Sequence, residues 1–191
     1  ISFLNKNYVS SIPEHLKKYQ TQDQLTAHHA STYLITCMDF RLLDDIVKVM
    51  DEMGYNNNYD QFIVAGSSLG FIQDKFPHWG QTVMDHMEIS STLHKFKKII
   101  IIDHEDCGAF KKFMPYKNKE EELDNHKTCI KKSYDKLKIK FPDFQIESYL
   151  MDLNGKLKQI DIDADDDTKS RNDKAKALGN NKIKQANSLT N

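Results

Sequence analysis

Ile99-Ile100-Ile101-Ile102-Asp103-His104-Glu105-Asp106-Cys107-Gly108-Ala109 is the stretch that decides the fold. Four successive β-branched residues favour extended backbone and leave no polar face, so they predict a strand buried on both sides, as in parallel sheets. The chain then turns polar, delivers an imidazole and a thiol three residues apart, and reaches Gly108-Ala109, where a helix can begin. A second junction of this kind lies upstream. Thr32-Tyr33-Leu34-Ile35-Thr36 is another apolar, β-branched run, and it ends in Cys37-Met38-Asp39-Phe40-Arg41. Two thiolates, one imidazole and one carboxylate are a full tetrahedral set for zinc. Delivery from the carboxyl ends of two strands puts them where open α/β sheets carry their sites.

Working outward, Leu42 to Met53 has helical spacing through Leu43, Ile46, Val47 and Met50, with Gly54 as a stop. Gln61 to Ala65 reads as a strand and Trp79 to Phe96 as a helix. Lys98 to Ile102 is a strand, Gly108 to Phe113 a short helix, and Glu120 to Ile139 a long lysine-rich helix. Phe144 to Met151 and Leu157 to Ile162 read as strands around the turn Leu153-Asn154-Gly155-Lys156. Strands alternating with helices predict an α/β fold, a mostly parallel central sheet flanked by helices. Three regions follow. Residues 1–30 form an arm that packs on the domain or on a partner subunit, and residues 31–162 form the zinc domain. Residues 163–191 open on Asp163-Ala164-Asp165-Asp166-Asp167 and carry almost no large apolar side chain, which predicts a polar tail that is flexible or held by a partner.

Composition excludes several classes. The 191 residues carry a formal net charge of −1, so no basic surplus argues for nucleic acid. No apolar run approaches the length of a membrane span. Three widely spaced cysteines argue against a disulfide framework and for a reducing compartment, the cytoplasm or an organelle matrix such as that of the mitochondrion. The chain opens on Ile1, which leaves a removed targeting segment open. Of 27 basic residues only Arg41 and Arg171 are arginine. An arginine two residues after Asp39 therefore stands out, because guanidinium holds a carboxylate bidentately and lysine cannot.

Other motifs weigh less. His126-x-x-Cys129 repeats the His104-x-x-Cys107 spacing inside the lysine-rich helix, where it reads as ordinary helix-face residues. Gly66-Ser67-Ser68-Leu69-Gly70 could cradle an anion, but a tight loop is the favoured reading. Asp161 to Asp167 lacks the glycine and terminal glutamate of a calcium loop and reads as an acidic linker. His28, His29, His78, His86 and His94 are candidates for moving protons near neutral pH.

The two junctions together resemble those of the β-class carbonic anhydrases, on a divergent branch. Cys37, Asp39 and Arg41 match that family's Cys-x-Asp-x-Arg, and His104, Cys107 and Gly108 match its His-x-x-Cys-Gly. Ala65-Gly66 resembles its turn after the second strand, and Tyr149 to Leu157 its late strand-turn-strand, so the likeness spans roughly residues 30–160. The resemblance implies zinc on Cys37, His104 and Cys107, with the fourth position either open to water or closed by Asp39. It implies that Arg41 holds Asp39 off the metal, that a zinc-bound hydroxide converts CO2 to bicarbonate, and that the chain forms a homodimer. Departures occur at Ile63, Val64 and Ser67, where the family carries Arg, Asn and Asn, and at Asp103 and Glu105. The last two are expected to alter hydrogen bonding around the site and add negative charge beside the metal. Two alternatives follow: hydrolysis of a CO2-like substrate such as carbonyl sulfide or carbon disulfide, and a weakly active or inactive subunit of a larger assembly.

Overall fold

A computed structural model describes residues 28–162. The arm expected over residues 1–30, except its last three, and the tail expected over 163–191 lie outside the described residues, as does most of the Asp161 to Asp167 run. The elements are β1 Thr32–Thr36, α1 Leu43–Glu52, β2 Tyr59–Ile63, α2 Ser68–Ile72, α3 Pro77–His94, β3 Lys98–His104, α4 Gly108–Phe113, α5 Lys119–Lys140, β4 Gln145–Met151 and β5 Leu157–Gln159. No described helix is long and apolar enough to cross a membrane.

Alternation along the strands divides the core in two. Successive strand side chains point to opposite faces. Tyr33, Ile35, Ile99 and Ile101 join a cluster with Val83 and Met87 of α3 and Leu137 of α5. Leu34, Ile100 and Ile102 join the opposite cluster with Ile46, Val49 and Met50 of α1. All four isoleucines of β3 are buried to 1% exposure or less, so each contributes the full ~1.5–3 kcal/mol of a buried aliphatic side chain. This is the two-faced burial that an unbroken apolar run requires.

The sheet order is β2-β1-β3-β4-β5. Strands β1 to β4 are parallel and β5 is antiparallel to β4. Strand β1 therefore pairs with the next strand in sequence on one side and with β3 on the other. The order reverses there, and the crevice beyond the carboxyl ends of β1 and β3 is where such sheets bind ligands. Element bounds match expectation within three residues: strand β2 starts and ends two residues early, and β5 stops at Gln159, three residues early. One element departs, since the stretch read as a loop after Gly66 contains helix α2.

Candidate metal centre

The crevice receives one ligand group from each strand end. Cys37 directly follows β1, His104 is the last residue of β3, and Cys107 caps the amino end of α4. Their ligand atoms lie within 4.8 Å of one another, and they form the one group of three or more such residues among those described. The two sulfurs are 3.8 Å apart. Two thiolates on a tetrahedral zinc at ~2.3 Å would stand ~3.8 Å apart. His104 Nδ1 is 2.8 Å from the Glu105 carbonyl oxygen. A carbonyl only accepts, so Nδ1 carries the proton and Nε2 the lone pair. That Nε2 is buried and has no hydrogen-bond partner. An orphaned imidazole lone pair facing two thiols fits a metal ligand set, and the Glu105 carbonyl plays the orienting part such histidines need.

The thiols are unequal. The hydrogen bond from Cys107 is the largest influence on Cys37 and favours its thiolate. Against the opposing effect of burial, it and further contacts from His104 and the Gly66 N–H (3.3 Å) hold its pKa well below the ordinary thiol value. The same Cys37 contact, then burial, pushes Cys107 up. Burial works against a charged His104, but the Cys37 thiolate outweighs it and the net displacement is upward.

Asp39 and Arg41 sit on a short 3-10 turn, Phe40–Leu42, with Asp39 as its N-cap. Arg41 folds back onto Asp39 through Nε to Oδ1 at 3.0 Å and Nη2 to Oδ2 at 2.8 Å. Chiefly through this fork, the Asp39 carboxyl is lowered to about 2. Asp39 Oδ2 remains 3.8 Å from His104 Nε2, on the edge of the ligand set.

Asp103 departs from expectation. It does not add charge to the metal crevice. It shares the parity of Ile99 and Ile101, so it turns inward to α2 and α5, while His104 points to the site. Its Oδ1 accepts the Ser68 N–H (3.0 Å), and its Oδ2 accepts the Ser68 hydroxyl (2.6 Å) and His126 Nδ1 (2.9 Å). His126 and Cys129 are fully buried, with His126 turned to Asp103, and neither belongs to the Cys37, His104 and Cys107 group. Glu105 faces outward to Lys119 at 3.4 Å. The turn at Gly66 is committed too: its N–H serves Cys37, and the Ser68 N–H serves Asp103. No anion cradle is left over among those groups.

A cavity of about 500 Å³ opens beside Cys37, Asp39 and Cys107, walled by Met38, Phe40, Phe76, Trp79 and Phe113 with Lys75 and Lys112. Among the candidate histidines, His78 packs its ring 6.1 Å from that of Phe76 and 6.4 Å from that of Trp79, close to this wall. His94 instead pairs with Asp60 at 2.7 Å, and His86 stacks edgewise on Phe62. His28 and His29 are exposed. Sequence reading missed the aromatic wall, Ser68, Asp106 and Glu122. Aromatics at the start of α3 (Phe76, Trp79) and at the end of α4 (Phe113) were the available signal for the wall.

Three comparisons bear on this arrangement. The model of a family described as "Putative carbonic anhydrase" matches residues 27–161. An uncharacterized protein of Rickettsia bellii is 39% identical over 150 residues, covering 77% of this chain and 87% of that protein. An uncharacterized protein of Rickettsia conorii is 39% identical over 150 residues, covering 77% and 76%. Among solved structures, the β-carbonic anhydrase CafA of Aspergillus fumigatus superposes with a TM-score of 0.57 at 13% identity, over 83% of this chain and 88% of that one. A tetrameric β-carbonic anhydrase of Sordaria macrospora gives 0.51 at 13% identity, over 81% and 92%. At such identities the structural likeness speaks for the fold.

Proposed function

We propose that this chain, which belongs to the "Putative carbonic anhydrase" family, catalyses the reversible hydration of carbon dioxide to bicarbonate. The observation that carries this reading is the pairing of an orphaned His104 Nε2 and two thiols with an Asp39 carboxylate held 3.8 Å away. A purely structural metal site has no use for that restrained carboxylate. Cys37, His104 and Cys107 would hold zinc, and Asp39 would be the fourth ligand of a closed state. Zinc in such a site supplies the Lewis acidity that lets water ionise at about pH 7.

The remaining steps belong to the chain. Arg41 keeps Asp39 where its Oδ2 can accept a hydrogen bond from the attacking water and orient it. The apolar wall at Phe76, Trp79 and Phe113 excludes bulk water and suits an uncharged, linear substrate. Lys75 and Lys112 on the same wall favour the anionic product at the exit. His78, beside that wall, exports the proton. A reducing compartment, supported by three free cysteines among the described residues, and a homodimer complete the reading.

Stopped-flow hydration of CO2 by zinc-quantified protein, at about pH 7 and about pH 9, tests it. Wild type should be active, Cys107→Ser inactive, and Arg41→Ala inactive at the lower pH with its zinc retained. A fully active Arg41→Ala would overturn the role given to that pair. A zinc-loaded wild type inert toward CO2 would overturn the activity. Turnover of carbonyl sulfide by that sample would move the assignment to a hydrolase, and solubility only with co-expressed partners would move it to a subunit.

A further inference from the structure

The contact between Asp39 and Arg41 leaves a mechanical problem. Both residues ride on the same short turn, two positions apart, so their mutual fork does not fix either of them relative to His104 and Cys107. Something on the other side of the crevice must hold the pair. The Arg41 guanidinium has two further bonds, and both go to Asp106: Nη1 to Oδ2 at 3.0 Å and Nη2 to the backbone oxygen at 3.2 Å. Asp106 lies between the two ligands of the second junction.

Asp106 is itself anchored. Its φ is +60°, in the left-handed region. Its N–H donates to Glu122 Oε1 at 2.6 Å, and the same oxygen accepts the Tyr116 hydroxyl at 2.6 Å. Glu122 is buried, so this end of the chain of contacts is fixed in the protein body. Lys111 caps the remaining Asp106 oxygen, which offsets the charge of two carboxylates on one guanidinium.

We infer that Asp106 is a positioning residue that holds the Arg41–Asp39 pair away from the metal position, so that the fourth coordination site stays open. This rests on the proposed metal role of Cys37, His104 and Cys107. Without Asp106 the pair is free to swing as a unit, and Asp39 Oδ2 needs to move little from its place near His104 Nε2 to become a ligand.

The test uses full-length protein loaded with cobalt(II) in place of zinc and titrated with azide at about pH 7, followed by the visible absorption of cobalt. Two variants separate position from folding. Asp106→Gly removes the carboxylate but accepts a left-handed φ without strain. Asp106→Asn tolerates that φ and keeps an oxygen for Arg41 Nη1. Wild type should bind cobalt and respond to azide. Asp106→Gly should bind cobalt equally and lose azide affinity by about tenfold or more, the effect of losing a hydrogen bond between charged groups. Asp106→Asn should recover most of the response. An Asp106→Gly titration identical to wild type would overturn the inference while leaving the metal site standing. Loss of cobalt from both variants would also overturn it, because Asp106 would then be holding the ligand loop. A wild type that binds cobalt but ignores azide would show a site already closed, against the inference. A wild type that takes up no cobalt would remove the proposed metal function itself.

Discussion

Replacing Asp103 by alanine should cost this protein more stability than any surface substitution. Asp103 and His126 are both at 0% side-chain exposure. The carboxylate accepts three hydrogen bonds, two from Ser68 and one from His126. Alanine would leave the Ser68 N–H, its hydroxyl and the His126 Nδ1 without an acceptor in a place water does not reach. Each such orphan costs ~1–3 kcal/mol, but relaxation makes the three less than additive. Breaking a buried polar pair by removing one partner typically costs ~3–5 kcal/mol, and that is the expected loss. Domains of this kind have ~5–15 kcal/mol in total, so the change is about a fifth of the whole or more. Asp103→Asn keeps one oxygen in place and should lose roughly half as much. In Asp103→Ala/His126→Phe one orphan is removed along with its partner, so the double variant should recover at least ~1 kcal/mol relative to the sum of the single changes. Urea unfolding of metal-free protein, followed by circular dichroism, isolates this from metal binding. An Asp103→Ala variant within ~1 kcal/mol of wild type would refute the argument that these three bonds matter.

In metal-free protein, Cys37 should react with iodoacetamide well below the ~8.5 of an ordinary thiol, because its lowered pKa keeps it a thiolate as pH falls, whereas Cys107 and Cys129 are held protonated. Mass spectrometry after brief labelling at about pH 6 should find Cys37 alone modified, and equal labelling of all three would count against the assigned asymmetry. Gly70→Ala should destabilise by ~1–3 kcal/mol through overpacking, since a Cβ there would stand 2.5 Å from the Ala65 carbonyl oxygen and 2.8 Å from Val64 Cγ2. A thermal melt unchanged from wild type would contradict that geometry.

Much of this was legible in the chain. The unbroken isoleucine run and the Thr32 to Thr36 run announce central strands because β-branching and two-sided burial leave no other reading. The candidate ligands were legible because they stand at or just beyond the ends of those strands, where chain order brings them together. What was not legible depends on partners far away in sequence. Gly66-Ser67-Ser68-Leu69-Gly70 has the composition of a turn, yet Ser68 opens helix α2 with its N–H on the Asp103 carboxylate. Asp103 reads as charge beside a metal until its parity is followed to His126. Asp106 carries no mark of its own: its value lies in facing the one arginine in the described residues, 65 positions earlier.

The alternation at the end of β3 has an evolutionary corollary. Asp103 and His104 are adjacent in sequence but serve opposite faces, one gripping the helices and the other reaching the site. A single-residue insertion or deletion between Lys98 and His104 would exchange their roles, leaving an imidazole without its sulfurs and a carboxylate without its donors. A change of length within this strand is therefore expected to be tolerated less well than one in the connections before Lys98 or after Phe113.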